Sequence, residues 1–148
     1  MQKRLKPTLN LIMGNELVIS IPSIPPGKNR SHGYGRGRAK KGEPRVYVTN
    51  EARKWTKDAS LIIGAKIGTS GWKPSYQYYT LDIVFSAQSR LDVDAPITLV
   101  QDTLCRKIDA FFEDIEFDDR LILRTTCDKR SGEEGVSISL KGYDFAKE

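Results

Sequence analysis

The sequence predicts an α+β domain with a mixed β-sheet and two main helices, and three observations carry that expectation. Apolar residues alternate with polar ones along Leu17–Ile21 and Tyr79–Phe85, as in half-buried strands. They recur at helical spacing over Ala52, Trp55, Ala59, Ile62 and Ile63, and again over Ile97, Val100, Leu104, Ile108 and Phe111. The order of these runs is strands, helix, strand, helix and a closing pair of strands. With 148 residues, no internal repeat and no clear linker, the chain reads as an N-terminal extension (1–15) and one domain (16–148).

Taken in order, Leu9–Met13 and Leu17–Ile21 flank Gly14-Asn15, which suits a hairpin turn. Ser23-Ile24-Pro25-Pro26-Gly27 stops the second of these runs. The stretch 28–45, KNRSHGYGRGRAKKGEPR, is a basic flexible loop by composition, unable to pack a core. Val46–Val48 is a short strand, and Asn50 is a favoured residue to open the helix after it, with Gly64 and Gly68 weakening that helix's end. Tyr79, Leu81, Ile83 and Phe85 define one face of the next strand. Asp94-Ala95-Pro96 then starts the second helix, because Asp caps well and Pro is tolerated in a first turn. The segments 120–127 and 136–140 look like a closing hairpin joined by the turn 129–135.

A hydrophobic fraction of 39% with 29% charged residues excludes a disordered chain. No apolar run approaches the roughly 18 residues of a membrane span, and the opening residues do not resemble a secretory signal, so a cytoplasmic protein is expected. Cys105 and Cys127 have no CxxC partner and suit a reducing compartment as small apolar fillers. His32 is the only histidine, which disfavours a histidine-built zinc site. The net charge of +5 is uneven. Residues 1–70 carry 14 Lys/Arg against 4 Asp/Glu, net +10; residues 71–148 carry 10 against 15, net −5. A basic half attracts a polyanion, and an acidic half can hold a cation beside it.

Two acidic pairs focus that idea. In Asp92-Val93-Asp94 the carboxylates are two positions apart, on one side of an extended chain. Asp118-Asp119 precedes the next strand. Both pairs also have plain structural readings, as helix cap, turn or solvated loop. Oxygen ligands of this kind suit Mg²⁺, which takes one or two carboxylates and substrate phosphate. The basic loop supplies Lys28, Asn29, Arg30, Arg36, Arg38, Lys40 and Lys41 for a phosphate backbone, and Arg90 stands beside the first acidic pair. Tyr34, His32 and Tyr47 offer rings for unpaired bases, whereas Trp55, Trp72, Tyr78 and Tyr79 read as core.

These residues resemble the RusA family of Holliday junction resolvases. Residues 21–30, IPSIPPGKNR, look like the family's early strand, double-proline turn and Asn/basic stretch. Arg90-Leu91-Asp92-Val93-Asp94 resembles its Arg/Asp-x-Asp core, Asp102-Thr103-Leu104 its helical Asp-Ala-Leu, and Asp118-Asp119 its acidic pair before a strand. The resemblance, spanning about residues 17–140, implies a homodimeric, Mg²⁺-dependent endonuclease (with Mn²⁺ as a substitute ion) that resolves branched DNA, particularly four-way junctions. It puts catalytic and metal-binding roles on Asp92, Asp94 and Asp119, with Asp118 as the alternative to Asp119, and suggests a phage or prophage setting. Where the family has Asn after Asp-x-Asp and a Lys a few residues on, this chain has Ala95 and Thr98. Threonine carries no positive charge for phosphate. A non-catalytic branched-DNA-binding protein, and less directly an RNA-binding accessory protein, therefore stand as alternatives to the nuclease.

Overall fold

A computed structural model of the protein describes residues 16–26, 32–35, 45–48, 50–88 and 94–143, with the backbone path alone for 32–35, 45–48 and 94–96. The architecture is α+β: a mixed four-stranded sheet with two long helices, plus a separate two-stranded ribbon. The elements are β1 (Glu16–Ile21), β2 (His32–Gly35), β3 (Arg45–Val48), α1 (Asn50–Ser70), β4 (Tyr78–Ala87), α2 (Asp94–Phe111), a 3₁₀ turn (Asp119–Leu121), β5 (Ile122–Ser131) and β6 (Gly135–Tyr143). Spatial order in the main sheet is β1-β6-β4-β5, with β4 and β5 parallel and the other pairs antiparallel.

The sheet folds this way because its strands bury one face. Tyr79, Leu81, Ile83 and Phe85 of β4 are at most 1% exposed, and Leu17, Ile19 and Ile21 of β1 join them. Side chains of this size each contribute about 1.5–3 kcal/mol on burial. Helix α1 covers that face with Ala52, Trp55, Ala59, Ile63 and Ile67. It runs straight through Gly64 and Gly68, and Gly64 has a packing use. The Lys107 stem of α2 crosses there so closely that a Cβ would lie 2.6 Å from its Cε. The helix stops at Gly71, whose φ of 71° is costly for other residues and whose N–H reaches back to Ile67 O at 3.1 Å.

Helix α2 opens at Asp94 and buries Val100, Leu104 and Ile108 completely. The apolar spacing expected Phe111 on that face, yet Phe111 is 44% exposed. Phe112, one residue past the helix, takes the inward place, its ring 6.1 Å from Trp72. Trp72, Tyr79 and Phe117 complete this aromatic end of the core.

The expected closing hairpin is corrected. β5 and β6 do not pair with each other; they flank β4 on opposite sides, Ser131 beside Ala87 and Gly135 beside Ser86. The physical reason lies in composition. β6 buries Val136, Ile138 and Leu140 at 0–2% exposure and takes an inner position, whereas β5 carries Arg124, Asp128, Lys129 and Arg130, which suit an edge. The expected partner of β1, Leu9–Met13, lies outside the described residues; the described neighbour of β1 is β6. Within the basic stretch 28–45, residues 32–35 form β2, which pairs antiparallel with β3, His32 opposite Val48 and Gly35 opposite Arg45. No described helix is long and apolar enough to cross a membrane.

Candidate metal and nucleic-acid site

The unit that positions the acidic pairs is the crossover β4–α2–β5. Strand β4 ends at Ala87, and α2 begins at Asp94 and returns along the sheet. β5 starts level with Tyr79, the beginning of β4. The two pairs therefore belong to opposite ends of α2: Asp92-Val93-Asp94 runs into its head, and Asp118-Asp119 lies by its C-terminal half.

The tail is built from specific contacts. Asp109 Oδ1 accepts the Phe117 N–H at 2.9 Å, which holds the returning chain against α2. The Gln101 side-chain oxygen accepts the Thr125 hydroxyl at 3.1 Å and ties the helix to β5. Asp118 caps the 3₁₀ turn by accepting the Arg120 N–H at 2.9 Å. It also accepts from the Arg120 guanidinium, at 2.7 Å from Nη2, and Glu116 lies 3.6 Å from the same nitrogen. The Arg120 hydrogen bonds hold the Asp118 carboxyl below the usual carboxylate range. Asp119 is exposed; its backbone carbonyl accepts the Ile122 N–H, while its carboxylate has no hydrogen bond or ion pair with a described residue.

Cys105 reports what surrounds this end of the helix. It is 5% exposed, and burial first, then the negative fields of Asp119, Asp102 and Asp118, pushes its thiol up to about 12. Asp102 thus joins the tail pair as a third carboxylate around one thiol. Its place was available in the sequence: with Leu104 and Ile108 inward, Asp102 and Cys105 fall on neighbouring parts of the helix flank. Among the described residues no three His, Cys, Asp or Glu side chains come close enough to hold an ion.

The head is known by its backbone. Asp94 is the first helical residue, whereas Asp92 and Arg90 lie outside the described residues, as do Lys28, Asn29, Arg30, Arg36, Arg38, Lys40 and Lys41. The α-helical rise sets Asp94 about 12 Å from Asp102 and about 16 Å from Cys105 along the axis. A Mg²⁺ ligand must stand near 2.1 Å from the ion. Along α2, then, the backbones of Asp94, Asp102 and Cys105 stand at different levels of the helix.

Thr98, at the family's lysine position, is exposed, and Lys107 is packed over Gly64 between the helices. Lys107 is thereby committed to the α1–α2 contact. No protein-family model matches this chain, and no curated protein matches it.

Proposed function

We infer that this protein is a RusA-like, Mg²⁺-dependent endodeoxyribonuclease that resolves four-way DNA junctions by paired symmetric nicks, in recombination and repair. The observation that supports it best is the β4–α2–β5 crossover. Asp92-Val93-Asp94 leads into the N-terminus of a long helix there, where the helix dipole and free N–H groups favour a phosphate. The chain between β1 and α1 is rich in Lys and Arg and is closed by an antiparallel ribbon, a suitable arm for a DNA backbone.

The donor set of Asp92, Asp94 and Asp119, with Asp118 as alternative, is all carboxylate oxygen and fits Mg²⁺. When bound, the ion would lower the pKa of a water and neutralise charge on the attacked phosphate. Lys28, Arg30, Arg36, Arg38 and Arg90 would bind phosphates of the DNA backbone. Asp118 is less available than Asp119 because Arg120 already occupies both its oxygens.

Paired nicks need two sites related by a twofold axis, which an isologous homodimer provides.

The test is a labelled four-way junction and matched linear duplex, incubated with Mg²⁺ or EDTA, alongside Asp92→Asn. Mg²⁺-dependent paired nicks in the junction alone, lost in the variant, are expected. Full cleavage by the variant would falsify the metal assignment. Thr98 supports a second reading, a branched-DNA binder without chemistry; tight junction binding with no nicks would favour it.

A further inference from the structure

We propose that the outer edge of β5 is a self-complementary interface, on which a second copy of this chain pairs antiparallel about Thr126 and extends the sheet across the twofold axis. This rests on the homodimer in the function inferred above, and names the surface that forms it.

β5 is a terminal strand of the sheet, and no described strand covers its outer edge. It is ten residues long, against six for β1 at the other edge. Long open edges are a hazard that proteins blunt with charge, and this one carries Arg124 and Asp128 on the face away from the helices. Arg124 lies beside Thr80, and Asp128 beside Val84. Both are exposed, and neither forms an ion pair with a described residue. Such charges block indiscriminate pairing, but their order is palindromic in sign.

With Thr126 on the axis, Arg124 falls opposite the partner's Asp128, and Asp128 opposite the partner's Arg124. Directly opposed residues in an antiparallel pair are about 4.5–5.5 Å apart at Cα, so both ion pairs can close. Thr126 meets its own copy through its methyl group, its hydroxyl donating to Asp82 of its own chain. Thr125 meets the partner's Cys127 on the helical face. Leu123, 48% exposed beside the bulge where β5 loses step with Tyr79, falls opposite the partner's Lys129, whose methylene stem can cover it.

The neighbouring register centred on Cys127 would set Arg124 against the partner's Arg130, a like-charge contact. The one centred on Thr125 leaves Arg124 opposite a threonine. The charges thus select one register among those that keep both helical layers on the same face of the sheet.

The test is sedimentation equilibrium of the full chain without DNA or divalent metal, for wild type, Arg124→Asp, Asp128→Arg and the double variant. Wild type should be a dimer. Each single reversal creates two like-charge pairs across the axis and should weaken dimerisation at least tenfold. The double variant restores opposite charges and should recover the dimer. Circular dichroism spectra of the single variants should match wild type, because both side chains are exposed, and their Tm should match it at dilutions where wild type is also monomeric. A monomeric wild type, single variants as dimeric as wild type, or a double variant no better than the singles would overturn the proposal. Junction cutting is read separately: wild type that cuts with its dimer unaffected by these charges leaves the nuclease reading standing and this interface rejected. A charge-dependent dimer that never cuts does the reverse.

Discussion

The two acidic pairs look alike in the sequence and differ in the folded chain. The tail pair is embedded in contacts: Arg120 ties down Asp118, Asp109 pins Phe117, and Asp102 with Asp119 presses a negative field on Cys105. The head pair leads from the end of β4 into the first turn of α2, and only the backbone of Asp94 belongs to the described residues there. The contrast teaches that carboxylates adjacent in sequence need not be equivalent as ligands. One of the tail pair is already neutralised by a cation, and the other has no ion pair among the described residues.

The largest effect that could break this comparison is on chemistry. Asp92→Asn and Asp94→Asn should each lower Mg²⁺-dependent junction cleavage by at least about a hundredfold if, as proposed, each holds the ion. Junction binding, read by gel shift in EDTA, should hold or tighten because a carboxylate near phosphate repels it. If both variants cut normally, the head is only a cap and a turn.

The next effect separates the members of the tail pair. Asp119→Asn should lose cleavage in the same range as the head variants. Asp118→Asn should retain most of it, because its oxygens serve Arg120. Equal losses in the two would mean that the Arg120 lock opens when DNA binds. Phe117→Ala tests what holds the tail in place. Deleting a ring 2% exposed and 5.2 Å from Tyr79 should cost about 3–5 kcal/mol in denaturant unfolding. A cost under about 1 kcal/mol would show that this end is not packed as described.

Much of this was legible in the sequence wherever the signal is local. The period-two face Tyr79, Leu81, Ile83 and Phe85 and the helical faces at Ala52–Ile63 and Val100–Ile108 need only their own spacing, and they are buried. The partner of a strand is a non-local fact. Residues 120–127 and 136–140 sit either side of a turn and read as a hairpin, yet β6 passes to the far side of β4. What decides this is competition for the buried position, which the more apolar strand takes. The same limit applies to the site. Spacing marked Asp118 and Asp119 but could not show that an arginine two residues on removes one of them, or that Asp102 stands nearby.

A smaller effect concerns acid stability. Asp118 titrates lower in the folded chain than its ordinary 3.8. Its contribution to stability is therefore present above that value and is lost as pH falls through the lowered folded value. The Asp118 side chain is 35% exposed and that of Arg120 78%, so solvent screens the pair and the effect is slight. Asp118→Asn should flatten the acid limb of a Tm-versus-pH curve, leaving the curve above about pH 5 nearly superimposed on wild type. A variant that loses stability equally at neutral and acid pH would assign Asp118 a role in packing the turn instead.

The mildest test reads the tail through its thiol. A folded pKa near 12, against an ordinary 9.0, leaves Cys105 with about a thousandfold less thiolate at pH 8 than an unperturbed cysteine, and the thiolate is the species that alkylates. Burial compounds this, so iodoacetamide should modify half-buried Cys127 first and reach Cys105 only when denaturant opens the core. Because burial outranks the three carboxylates as the cause, Asp119→Asn should speed Cys105 alkylation only modestly. A large acceleration in that variant would mean that Asp119 helps hold the tail shut. Rapid alkylation of Cys105 in wild type would place this end of α2 in an opening equilibrium. The tail would then be the looser of the two acidic regions, and the comparison would run the other way.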